Sequence, residues 1–501
     1  MRQTFLDNIP IRIGNTDEFA CVARTLRNCS YNEQTICGTF NLANMSEIGQ
    51  INESQLEAAQ VSDELRLLLR LFLVPALVPR TEVERVFDKN TVDAFVSLGL
   101  LGSGEFGTDD FYARAFLYPV MNFLIASDRH SLPDESTFEA PSDIVFPAIF
   151  RGTLQFLKLL PTNWKGAALD LCSGTGIGAL LLSRSGRHAI SSDITQRATE
   201  FARFNCALNQ VSTIDVVCGD LYQAVENQKF GCIVAHPPYV PSIDAKAIWR
   251  DGGTIGDSLV KRIIQSLPKY LDPDGFFFCI CLGIDTEKMS FEERVRFWLG
   301  EESTDFDIIF AYQEIRDPQQ VLENLIQRYS DVDEEKLETI RSEYEHAGII
   351  KMPLGALYLR RRSRRGEPLT VRKQLGENTE GVDFERAFLL HDQTLQPNFL
   401  QDLRKGTPTL APRLEVKVTH VVHDGSLVPA DFLFDVDKPF PARARFESWM
   451  VPLLTRLDGK TTLAEIYGEA AAKGGIPEQF NLEDFVLLVT RTIELGFTEL
   501  N

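Results

Sequence analysis

Apolar positions in this chain become periodic from Ser62 onward. Ser62 and Asp63 precede Leu65, Leu68, Leu69, Phe72 and Leu73, which share one helical face, and a hydroxyl or carboxylate at that point caps a first turn. A second helix is predicted after Pro79, and a third over Thr91–Leu98 that ends at Gly99. A strand pair is predicted around Phe111 to Ala126. Three helices and a hairpin make a winged-helix pattern. Upstream of Ser62 the periodicity is poor, and only a helix near Asp17 to Leu26 can be assigned.

From about Ser142 to Arg362 strand-like and helix-like runs alternate, as a parallel doubly wound sheet requires. The strand candidates are Ala167–Leu171, His188–Ser192, Ile214–Val217, Cys232–Ala235, Gly275–Cys281, Phe306–Phe310 and Ala356–Leu359. Helices are expected between them over Ile177–Ser183, Gln196–Leu208 and Ser258–Leu271, with an acidic helical insertion at about 317–347. A polar linker is expected after Gly366. The chain becomes globular again at Phe384, with a strand over Leu414–Val422 and a helix over Leu482–Leu495, a second winged-helix-like module. The expected domains are 1–141, 142–365 and 366–501, and the fold class is α/β, a Rossmann-like seven-stranded sheet with a small module at each end.

Composition changes this picture little. With 501 residues, 44 % hydrophobic and 24 % charged, the chain is expected to be a soluble multidomain protein. No apolar run is long enough for a membrane span, the first residues lack an apolar signal segment, and the nine cysteines form no paired framework, so a cytoplasmic location without a membrane partner is expected. The net charge of −20 argues against a surface built for nucleic acid. Arg360, Arg361, Arg362, Arg364, Arg365, Arg372 and Lys373 are the local exception, read as a solvated linker or as a contact for phosphate or an acidic partner. The Thr91–Leu98 helix carries Asp93 and no Lys or Arg, so the N-terminal module is expected to shape a substrate or pack on its neighbour.

Two turns carry the chemistry. In the first, Asp170 closes a strand and Gly174, Gly176 and Gly178 follow, a turn in which glycine admits unusual backbone angles and close approach of a nucleoside. Asp193 closes the next strand, where a carboxylate accepts ribose hydroxyls; capping the following helix is its alternative role. Asp220, within Gly219-Asp220-Leu221, can accept from an adenine amino group or serve as a turn carboxylate. Cys172, Thr175, Ile194 and Leu221 complete this set. The turn carries no basic residue for a pyrophosphate, which leaves S-adenosylmethionine as the expected cofactor.

The second turn, His236-Pro237-Pro238-Tyr239, follows the fourth strand. The prolines stiffen it, so the side chain at 236 and the carbonyl of Pro237 can meet one amino group while Tyr239 offers a stacking face. His236 is expected to border the cofactor as well as the acceptor, and His236, Pro237 and Tyr239 are the expected catalytic residues. Pro238, Tyr239 and Arg250 are the expected acceptor contacts.

With both turns present, the stretch from about 115 to 283 resembles the N-P-P-Y class I methyltransferases, including those that methylate glutamine amides of release factors and ribosomal proteins. Arg197 to Asn209 looks like that family's second helix, Arg250 to Ser258 like its post-motif loop, and Ala126 to His130 like a segment of its "small-domain" subgroup. The resemblance implies methyl transfer by direct displacement, probed here by one departure: His236 stands where the family has Asn. A neutral His can accept a hydrogen bond, and a titrating one can act as a base toward an ammonium, phenol or imidazole. A merely structural His236 is the bland alternative. The expected acceptor is a peptide, protein or natural product, with an RNA base or a non-catalytic scaffold as the competing readings. The C-terminal module is similar to modules that hold peptides in peptide-tailoring systems; packing or homodimerisation is its alternative role.

Overall fold

The computed structural model describes residues 9–134, 136, 138–242, 248, 251–328, 333–363 and 366–500. The chain divides into two compact units, one of residues 1–160, 164–282 and 319–348, the other of 161–163, 283–318 and 349–501. The expected break near residue 141 does not coincide with this division.

The first unit begins with helices whose ends are closed by short polar side chains. Asn15 accepts from the amides of Asp17 and Glu18 at the start of Thr16–Asn28, and Ser62 accepts from Leu65 N at the start of Asp63–Phe72. The segment before Ser62 also holds helices Glu33–Phe40 and Glu53–Ala58, which alternation had not revealed. Helices Arg80–Val86 and Lys89–Ser97 follow. The expected strand pair is two pairs: β1 (Leu101–Ser103) with β2 (Phe111–Ala113), and β3 (Ala115–Val120) with β4 (Phe123–Asp128), both antiparallel.

Five parallel strands form this unit's sheet: β5 (Ala168–Leu171), β6 (Ala189–Asp193), β7 (Ile214–Cys218), β8 (Phe230–Ala235) and β9 (Leu271–Leu282), in the order β9-β8-β5-β6-β7. The order reverses between β5 and β8, and in an open parallel sheet that point at the carboxyl ends is where a crevice forms. Helix Gln196–Leu208 joins the N-terminal module to the sheet. Its Asn205 accepts from Ala126 N at 2.7 Å and donates to Ala126 O at 2.9 Å. Asn209 repeats the pattern on Leu124, at 2.9 and 2.7 Å. Two side-chain amides thereby satisfy the free edge of β4, which would otherwise be buried without partners. The Arg197 guanidinium adds a two-pronged pair to Asp128, at 2.7 and 3.0 Å, with both side chains buried. These contacts tie β4 to helix Gln196–Leu208. The acidic insertion consists of helices Pro318–Arg328 and Glu334–Ala347.

In the second unit, β10 (Asp285–Thr286) pairs with β12 (Ile349–Arg361), which is antiparallel to β11 (Phe306–Arg316). β13 (Thr370–Gln374) lies parallel to β11, followed by helix Gly381–Thr394. The segment expected as a polar linker therefore holds a strand, and the helix begins about where the chain was expected to become globular again. Its arginines are drawn inward by acids far away in sequence. Arg360 bonds Asp307 and Asp392 at 2.6 to 3.0 Å, Arg362 lies 3.7 Å from Asp307, and Arg372 bonds Asp285 and Glu292 at 2.6 to 2.7 Å. A solvated basic stretch is thus the wrong picture for these three residues; Arg364 and Arg365 lie outside the described residues.

The C-terminal part pairs β14 (Thr409–Leu410) with β18 (Thr498–Glu499) and arranges β15 (Glu415–His423), β16 (Ser426–Val436) and β17 (Ala442–Phe446) as an antiparallel sheet. Phe434, Leu453, Ile466, Phe485, Val489 and Phe497 share its core with helices Leu463–Ala472 and Leu482–Glu494. Among the described residues no helix is long and apolar enough to cross a membrane.

Candidate active site

The carboxyl ends of β5, β6, β7 and β8 open on a cavity of about 710 Å³ in the first unit. Such a volume lies in the usual range for cofactor and small-molecule sites. Its walls include Asp170, Cys172, Gly174, Thr175, Gly178, Asp193, Ile194, Gly219, Asp220 and Leu221 on one side. His236, Pro237, Pro238 and Tyr239 border the same space. Gly176 is not part of the lining, and Arg250 lies outside the described residues.

The three glycines of the first turn have different reasons for being glycine. At Gly174, with φ +51°, an added Cβ would meet no atom within 4 Å, and this residue faces the cavity. At Gly176, with φ +77°, it would stand 2.9 Å from the Ala202 Cβ of the neighbouring helix. At Gly178 it would stand 2.6 Å from the Asp170 carboxylate. Protein atoms alone exclude a Cβ at Gly176 and Gly178, whereas Gly174 leaves open room.

The carboxylates hold this turn in place. Asp193 accepts from Gly174 N at 3.0 Å and from Thr195 N at 3.1 Å, tying the end of β6 to the glycine turn. Asp170 accepts from Ala179 N at 2.9 Å at the start of the next helix, and burial pushes its carboxyl up to about 7. Burial also raises Asp193 and pushes the Cys172 thiol up. Asp220 receives the Arg262 guanidinium at 2.6 Å. Arg262 borders the cavity from helix Ser258–Tyr270, so a basic group is present although the turn itself has none. The hydroxyl of Ser192 is buried at the cavity wall with no hydrogen-bond partner, an opening for a polar ligand.

Around the second turn the structure builds an aromatic stack. The His236 ring lies 5.2 Å from Phe156 at an interplanar angle of 21° and 6.1 Å from Tyr239 at 22°; Phe278 continues the stack 5.3 Å behind Phe156. Burial lowers the His236 imidazole to about 4, leaving it neutral at physiological pH. Loop residues 251–258 back this turn. A Cβ at Gly256 would stand 2.8 Å from Tyr239 O, and one at Gly252 2.9 Å from Tyr239 Cα, so close backbone contact requires glycine there. Phe146, Phe150, Phe156, Asp143 and Arg262 also line the cavity and were not singled out from sequence. They come from segments before β5 and after β8 with no motif of their own.

Residues 148–288 match the family model described as methyltransferase small domain. Release factor glutamine methyltransferase of Thermodesulfovibrio yellowstonii is 28 % identical over 138 residues, 25 % of this chain and 49 % of that protein. The ribosomal protein uL3 glutamine methyltransferase of Bradyrhizobium diazoefficiens is 28 % identical over 156 residues, 28 % of this chain and 49 % of that protein. The chain thus spans about half the length of the curated relatives it matches. A solved ribosomal protein L11 methylase from Lactobacillus delbrueckii subsp. bulgaricus covers 42 % of this chain and 77 % of its own at 17 % identity and a TM-score of 0.25, too loose an overlap to carry weight. The segment carrying both turns is therefore a class I methyltransferase domain related to the glutamine-amide methyltransferases.

Proposed function

We propose that this chain transfers a methyl group from S-adenosylmethionine to a nitrogen of a peptide, protein or natural-product acceptor held at the His236–Tyr239 turn. The observation that carries this reading is the single cavity shared by the glycine turn and the proline turn. The open room at Gly174, the carboxylates of Asp193 and Asp220 and the unpartnered Ser192 hydroxyl fit an adenosine-bearing cofactor. Asp193 would accept from the ribose and Asp220 from the adenine, with Thr175, Ile194, Gly219 and Leu221 around them. When bound, the cofactor supplies an electrophilic sulfonium methyl.

The protein's part is to orient the acceptor and exclude water. Phe156 and Tyr239 each stack with the His236 ring, and a neutral imidazole nitrogen and the Pro237 carbonyl would offer hydrogen-bond acceptors to an N–H₂ group. An imidazole lowered to about 4 is a weak base. This favours an acceptor nitrogen that is already neutral over an ammonium that must be deprotonated. Inward pairing of Arg360, Arg362 and Arg372 removes the main support for a nucleic-acid acceptor.

The test is calorimetric titration with S-adenosylhomocysteine, followed by radiolabelled methyl transfer into fractionated extract treated with protease or nuclease. Asp193→Ala is expected to abolish nucleoside binding. Binding unchanged by that substitution would overturn the cofactor assignment, and label lost only to nuclease would overturn the acceptor class.

A further inference from the structure

Strand β15 is an edge of the three-stranded sheet in the second unit: the order is β15-β16-β17, and among the described residues no strand pairs with its other side. All nine of its residues are exposed. A long edge of this kind is a template for another strand unless something blunts it. The usual devices are missing or spent. β15 contains no proline, and the irregularity in its pairing leaves the extra residue, Ala430, in β16. Lys417, a residue type that guards edges, is held within its own sheet by Asp435 at 2.8 Å and Glu415 at 3.4 Å.

Apolar side chains cover this edge. Val422 is 74 % exposed, and Leu427, directly opposite it in β16, is 71 % exposed. By alternation along the strands Val416 and Val418 share their face, while Val421 and Val428 lie on the other; all four are exposed. At the base of the hairpin Phe434, opposite Val416, is buried in the core of this module. The tip thus lacks the cover that the base has, and it is apolar on both faces.

We propose that β15 pairs antiparallel with β15 of a second copy of this chain, about a two-fold axis that sets Thr419 opposite its own copy and joins the two sheets into one. A two-fold axis normal to the sheet keeps like faces together, so the register must centre on a residue, and only Thr419 pairs the whole strand. That register is self-complementary. It sets Val422 beside the partner's Val416, so the exposed Leu427–Val422 pair continues into the row that ends on the partner's Phe434. Val418 meets the partner's His420, and the Glu415 carboxylate meets the partner's His423, an imidazole that can donate to it. A strand of another protein would have to match this pattern by coincidence, whereas a second copy matches it by symmetry. The inference does not rest on the methyl-transfer reading.

The experiment is sedimentation velocity of the full chain over a rising concentration series, with Thr419→Lys and Thr419→Glu beside the wild type. Thr419 is exposed, and Asp431 across from it is already paired with Arg445 at 3.2 Å, so the monomer can carry either charge there. The wild type should pass from monomer to dimer as concentration rises. Each variant alone places like charges opposite each other and should dimerise roughly fivefold more weakly or worse. An equimolar mixture of the two should regain the dimer. A wild type that stays monomeric throughout would overturn the proposal and leave the edge to a strand of another protein. Single variants that dimerise as the wild type does, or a mixture that does not regain the dimer, would overturn it as well. Should either variant fail to fold, hydrogen exchange of the wild type is the second readout. The β15 amides should gain protection as concentration rises, and protection independent of concentration would refute the pairing.

Discussion

Replacing Gly174, Gly176 and Gly178 one at a time by alanine should separate ligand binding from folding within five residues. At Gly176 the left-handed backbone costs about 1 to 2 kcal/mol for a residue with a Cβ. The clash at 2.9 Å with Ala202 adds overpacking of about 1 to 3 kcal/mol, since Ala202 is fully buried and its backbone is 3.3 Å away. At Gly178 the new methyl presses on Asp170, whose bond to Ala179 N resists displacement. Overpacking of about 1 to 3 kcal/mol is partly offset there by roughly 1 kcal/mol of helix propensity. At Gly174 only the backbone cost remains, and stiffening of the unfolded chain returns about 0.4 to 1 kcal/mol of it. Gly176→Ala is therefore expected to destabilise most, with Gly178→Ala and Gly174→Ala each costing roughly 1 kcal/mol. For nucleoside binding the folded Gly174→Ala protein should lose at least tenfold, about 1.4 kcal/mol, because its methyl occupies the open room at the turn. Urea unfolding and calorimetry with S-adenosylhomocysteine measure the two quantities. If Gly174→Ala binds with wild-type affinity, that open room is not where the nucleoside lies, and the reasoning fails.

Two further tests bear on other parts of the first unit. Asp128→Ala removes the two-pronged partner of the buried Arg197, with Asp143 3.8 Å away, and should cost about 3 to 5 kcal/mol; the double variant with Arg197→Met should recover much of that loss. Hydrogen exchange in β4 and helix Gln196–Leu208 would report it locally, and equal protection in the wild type and Asp128→Ala would contradict a structural role for the pair. His236 has a folded-state value near 4, below its unfolded value, so the unfolded chain binds more protons between the two. Its burial therefore destabilises the fold as pH falls through that window, and His236→Asn should show a shallower loss of stability from pH 6.5 to 4. The same variant should leave the pH–rate profile above pH 6 unchanged; loss of a limb near neutrality would restore His236 as a base.

Much of this architecture was legible because local chemistry is sufficient for it. Strands β5, β8 and β9 follow from buried apolar runs, one helix start from Ser62, and the two turns from glycine and proline spacing. Those turns also named about half of the cavity's polar wall, since a residue ending a parallel strand has little choice about which edge it faces. Non-local partners were not legible. A run of arginines has the same composition whether it meets water or the carboxylates of Asp285, Asp307 and Asp392, and only folding brings those acids alongside.

The same division holds at the candidate site. Sequence alone determined that a glycine turn and a His-Pro-Pro-Tyr turn each end a strand; the sheet order then brought those strands, β5 and β8, side by side. Tertiary structure alone decided what His236 can do. Phe156, eighty residues upstream in the chain, stacks on its ring, and burial among aromatic groups withdraws its proton. A histidine's charge is a property of its surroundings, and those are assembled from distant segments.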